Sequence, residues 1–80
     1  MPLYYFNYRI KGELEKDPDG SELPSDDDAI EEAREAAREL LSTKVRMGEL
    51  VDGDQFEITT GDGTLVATLP LRSVLKLDDS

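Results

Sequence analysis

Eighty residues, with nineteen Asp and Glu against nine Lys and Arg for a net charge of −10, leave room for one domain and one modest core. The chain has neither cysteine nor histidine, which excludes disulfides, thiolate chemistry, imidazole general bases and the usual zinc ligand sets. A surface this negative repels phosphate backbones and anionic lipid, and it favours a basic protein partner in both on-rate and orientation.

The first expected element is a strand from Leu3 to Ile10. Tyr4, Phe6, Tyr8 and Ile10 share one face and form its core side; Leu3, Tyr5, Asn7 and Arg9 share the other. Lys11-Gly12 turns the chain, and Glu13-Leu14-Glu15 is a short return strand with Leu14 as its inward residue. Asp17-Pro18-Asp19-Gly20 fits a type I turn, with Asp bonding back to the backbone, Pro fixing φ and Gly at the fourth position. Ser21 to Pro24 then runs extended, because Leu23 precedes a proline.

A long helix is expected from about Asp26 to Met47. Ser25 is its N-cap, Asp28 completes an approximate capping box, and Asp26, Asp27 and Asp28 oppose the positive end of the helix dipole. Lys44 and Arg46 suit the other end, and Gly48 is a natural stop. Ile30, Ala33, Ala37, Leu40, Leu41 and Val45 repeat at helical spacing and form the expected buried stripe, with the alanines letting the helix sit close to a sheet. Asp52-Gly53-Asp54 breaks the chain again. Strands over Phe56–Thr59 and Leu65–Leu69, joined through Gly61-Asp62-Gly63, form a hairpin whose Phe56, Ile58, Leu65, Ala67 and Leu69 face the helix. Pro70 ends the second strand or marks it as an edge. Residues 71–77 read as a helical turn or an extended tail.

The expected fold class is α+β: a three- to four-stranded antiparallel sheet with one long helix packed on one face, in the order β-β-α-β-β. One domain spans 1–77, and 78–80 form a frayed acidic tail. No apolar run approaches the roughly 20 residues that a bilayer requires. The opening residues lack a basic, apolar leader, so the expected location is the cytoplasm, with no membrane partner.

Tyr4-Tyr5-Phe6, Asp17 and Gly20 in the turn, Leu23-Pro24, the Ala-rich helix, Phe56-Glu57-Ile58-Thr59 and the terminal Leu69-Pro70 together resemble a bacterial family of very short proteins classed as a domain of unknown function. The resemblance implies a fold and a bacterial source, and no activity. That family's pattern often carries a His soon after Phe6, where this chain has Asn7, so no imidazole role carries over. The tyrosine-led first strand, the Asp/Gly turn and the Glu/Ala-rich helix are also similar to small antitoxin domains that pair with RNA-cleaving toxins. The proline-glycine segment those antitoxins usually carry before the helix is missing here.

No catalytic residues, cofactor or metal are expected. The serines have no histidine to activate them, and the Asp26–Asp28 carboxylates sit at an exposed helix start, where capping and solvation account for them. Glu15 to Gly20, with Asp26 at the twelfth position, faintly echoes a calcium loop; Pro18, Asp in place of the bidentate Glu, and the preceding strand favour the turn reading. The candidate partner-binding surface is the sheet face away from the helix, carried by Tyr5, Asn7, Arg9 and Val66, with Glu57, Thr59 and Thr68 beside them. The expected function is a non-enzymatic protein-interaction module, its partner another protein (a basic one suits the charge) or a second copy as a homodimer; the alternative is an acidic antitoxin-like inhibitor of a basic RNA-cleaving protein. Nucleic acid is not an expected ligand: the charge is wrong for it, and Arg9 is nearly alone on that face.

Overall fold

The computed structural model describes residues 1–49 and 53–74. Asp52 and the expected tail at 78–80 lie outside the described residues, as do residues 75–77. Along the chain run β1 (Leu3–Ile10), β2 (Glu13–Glu15), β3 (Ser21–Glu22), α1 (Asp26–Arg46), β4 (Gln55–Thr60), β5 (Leu65–Pro70) and a closing 3-10 turn, Leu71–Val74. The α+β class stands, in the order β-β-β-α-β-β. Every pairing is antiparallel, and the sheet runs β2-β1-β4-β5, with β3 also paired to β1.

The additional strand, β3, comes from the segment expected only to run extended. Glu22 and Ser21 pair with Leu3 and Tyr4, and the Leu23 N–H donates to the Pro2 carbonyl at 3.1 Å. Holding Leu23 extended before Pro24 also lets its side chain pack on the core. Because β4 occupies the other side of β1, β2 and β3 share one edge, with the 16–20 loop between them. The β1–β2 turn has positive φ at both Lys11 (52°) and Gly12 (82°), which suits a two-residue hairpin connection. It sets Leu14 opposite Arg9, so Leu14 lies on the face away from the helix and not on the core side.

Helix α1 ends where its caps dictate. The Ser25 hydroxyl accepts the Asp28 N–H at 3.3 Å and donates to the Asp28 carboxylate at 2.9 Å; Gly48 closes the other end at φ 75°. The buried stripe is Ala29, Ala33, Ala37, Leu41 and Lys44, rotated from the expected one. Ile30 and Leu40 flank it half-buried, and Val45 is 61% exposed. Three alanines in register bring the helix backbone close to the sheet. There α1 meets a core of Tyr4, Phe56, Ile58, Leu69, Leu71 and Val74.

The β4–β5 hairpin departs from plain alternation. Ile58 pairs with Ala67 and Thr59 with Leu65, so Val66 is the extra residue of a β-bulge. The bulge exchanges two expectations. Leu65, read as core, is 56% exposed, and Val66, read as outward, packs partly buried against the core.

Candidate functional site

The face of the sheet away from α1 is built by register. Tyr5, Asn7 and Arg9 of β1 stand opposite Thr59, Glu57 and Gln55 of β4, and Thr68 of β5 follows beside Glu57. Sequence reasoning placed Asn7 on this face but not at 8% exposure. The 16–20 loop folds back over it. The Asp17 N–H donates to Asn7 Oδ1 at 3.0 Å, and Asn7 Nδ2 donates to Thr59 Oγ1 at 3.2 Å. Asp17 in turn accepts the Phe6 N–H at 3.2 Å and the Asp19 N–H at 3.1 Å. Its carboxylate therefore does the work of a strand neighbour for β1 between β2 and β3. Burial pushes the Asp17 carboxyl up, but the N–H groups of Asp19, Phe6 and Gly20 outweigh it and hold the pKa below the ordinary value. Gly20, at φ 75°, is required here, since a Cβ would meet Tyr5 Cε1 at 3.0 Å and Leu3 Cγ at 3.1 Å.

The loop, the face and the tip of the β4–β5 hairpin enclose an open groove of about 400 Å³. Tyr5, Asn7, Leu14, Lys16, Asp17 and Thr59 carry most of its character: one aromatic ring, one aliphatic chain, one exposed ammonium and oriented amide and hydroxyl groups. At one end Arg9 pairs with Glu57 at 2.6 Å, and Gln55 Nε2 donates to the same carboxylate at 2.9 Å. Arg9 and then Gln55 hold the Glu57 carboxyl below its usual value. At the other end Asp62 is held at about 2 by the Thr60 hydroxyl and then by the Thr64 N–H. The two carboxylates that line the groove, Asp17 and Glu57, are thus both held below their ordinary values, the opposite of what a general acid needs. Tyr5, Asn7 and Asp17 come together in the groove, Arg9 sits at its end, and Val66 lies elsewhere. Leu14, Lys16 and Asp17 were missed as lining residues, because turn chemistry alone does not reveal which face a loop covers.

A second set of polar groups ties the helix to the sheet. The Tyr4 hydroxyl donates to Asp26 at 2.6 Å, which pushes its pKa up to about 12. Nearer the other end of α1, Lys44 lies 3.2 Å from Asp54 and 3.4 Å from Glu49, and the Tyr8 hydroxyl donates to Asp54 at 2.9 Å. Asp54 is 4% exposed and Lys44 8%. The Asp54 contact raises Lys44, while burial, followed by the Asp54 bond, raises Tyr8. Among the described residues no three carboxylates gather to hold a metal ion, and Asp17 and Asp26 of the calcium-like loop are occupied by N–H and phenol donors.

These shifts predict a two-sided pH profile. Raised groups (Tyr4, Tyr8, Lys44) contribute stability that is complete below their unfolded pKa and lost as pH rises through the folded value, so Tm should fall from about pH 10 upward. Lowered groups (Asp17, Glu57, Asp62) contribute above their unfolded pKa, and that contribution should be lost as pH falls below about 4. Thermal unfolding followed by circular dichroism across this range checks both limbs. A Tyr4→Phe variant should show a shallower alkaline limb; an unchanged one would remove Tyr4 from the account.

A family model described as a domain of unknown function (DUF6894) matches residues 3–72. No curated protein and no solved structure matches the chain. Among the described residues no helix is long and apolar enough to cross a membrane.

Proposed function

The chain belongs to the DUF6894 family, a domain of unknown function, and on that footing we propose that it works as a cytoplasmic, non-enzymatic protein-interaction module. Its binding surface is the groove on the outer sheet face, and its ligand is a segment of another protein. The observation that carries this reading is the way the groove is built. Asn7 and Asp17 are locked by four hydrogen bonds, two of them from the backbone of β1 and of the turn to the Asp17 carboxylate; the exposed Lys16 and half-buried Tyr5 stand on that rigid floor. Rigid aromatic and polar groups around a small concavity favour recognition, because little ordering entropy is lost on binding. The held-down carboxylates, with no histidine or cysteine anywhere in the chain, favour binding over catalysis.

Tyr5→Ala is the direct test. The tagged protein is used to capture its partner from lysate of its own host, and Tyr5→Ala should leave the circular dichroism spectrum intact while the captured protein disappears. Retention of the partner by Tyr5→Ala would move the binding surface elsewhere.

A second reading, an acidic antitoxin-like inhibitor, is supported by one feature. Asp27, Asp28, Glu31, Glu32 and Glu35 are all exposed along the first half of α1, opposite the sheet, and would cover a basic site. A complex that dissolves at high salt and survives Tyr5→Ala would favour this reading over the groove.

A further inference from the structure

The two edges of the sheet are unlike. The β2/β3 edge is short, interrupted and charged, with Glu13, Glu15 and Glu22 on its strands. The β5 edge is six residues long and has no strand partner beyond β4 among the described residues. Natural sheets guard such edges with lysine or other charge, yet residues 63–71 hold no charged side chain, the longest uncharged run in a chain of net charge −10.

Backbone parity shows what this edge offers. The Leu71 N–H donates to the Asp54 carbonyl at 2.9 Å, which marks 54/71 as a hydrogen-bonded position of the ladder. Alternation then makes Phe56/Leu69 and Ile58/Ala67 bonded pairs and Glu57/Thr68 a non-bonded one. Thr68 therefore turns both its N–H and its C=O away from β4. Pro70, of the same parity, has no N–H to leave unsatisfied. Val66, the extra residue of the bulge, has no partner in the β4 register.

We propose that β5 is a self-association edge, at which two copies of this chain pair antiparallel about a two-fold axis at Thr68. The two Thr68 residues then face each other on the outer face and exchange N–H and C=O across the axis. The charge distribution selects a second copy over a basic peptide. A peptide chosen by charge would need carboxylates along the edge, and there are none. Two copies at −10 each, by contrast, can approach closely only where both are uncharged. This inference is independent of the groove, which lies on the outer face.

Sedimentation equilibrium at millimolar protein, in low and in high salt, tests it. The expected result is a monomer–dimer equilibrium that shifts several-fold toward dimer as salt screens the repulsion. Thr68→Pro removes the outward N–H, and Thr68→Lys places a charge in the edge opposite Glu57, where the fold tolerates it. Both should be monomeric, and the Lys variant should keep the wild-type circular dichroism spectrum and Tm. A wild-type monomer at every salt concentration, a dimer weakened by salt, or a dimer untouched by folded Thr68→Lys would each overturn the proposal.

Discussion

Asp54→Ala should lower stability by about 3 kcal/mol or more, because it strands a buried ammonium. Lys44 reaches the helix–sheet boundary with its side chain 10% exposed, and among the described residues Asp54 is its closest carboxylate, at 3.2 Å. Glu49, at 3.4 Å, is half-exposed and screened by water, so it compensates only in part. The same substitution removes the acceptor of the half-buried Tyr8 hydroxyl. Urea denaturation checks the magnitude. Lys44→Met in the same background should restore much of the loss, since a paired ion replaced by apolar volume is often close to neutral. Failure of the double variant to recover would mean that Asp54 acts mainly through Tyr8.

Ile58→Ala should cost about 3–4 kcal/mol, from lost transfer free energy and the cavity left under the helix. Ile58 is fully buried on β4, paired with Phe6 on one side and Ala67 on the other, beneath the alanine stripe of α1. Neither neighbouring strand can close inward without breaking its ladder, so the void should persist. Native domains retain only about 5–15 kcal/mol in total, and a chain this short belongs at the low end. The variant should show a Tm at least 10 °C lower (about 4–8 °C per kcal/mol at this size), with an unchanged m-value. Leu40→Ala should cost clearly less, since Leu40 is only half-buried at the flank of the stripe.

The comparison of Ile58 with Leu40 shows where sequence was sufficient. Period-two alternation in β1 and β4 identified Tyr4, Phe56 and Ile58 as core, because a strand face is decided by parity alone. The caps at Ser25 and Gly48 fixed the helix for equally local reasons. The helix stripe was legible only to within a residue. Hydropathy favours Val45 over Lys44, but the sheet lies where Lys44 points, and Asp54 makes that position tenable. The bulge at Val66 had no local signature, so Leu65 and Val66 were exchanged. On the outer face, Tyr5, Asn7 and Arg9 were found from parity. The covering loop was not, because the bond from Asp17 to Phe6 spans eleven residues and depends on where β2 and β3 hold the chain.

The interrupted β2/β3 edge also bears on how the protein behaves when crowded. Strand-to-strand growth into fibres requires two receptive edges on every subunit, so that each added copy presents a new one. Here the Asp17 carboxylate, in place of a backbone strand, occupies the middle of one edge, and three glutamates surround it. A chain with one receptive edge can form pairs but cannot polymerise by this route. Concentrated solutions should therefore stay clear and free of thioflavin-positive material, even though the opposite edge carries none of the usual charged protection.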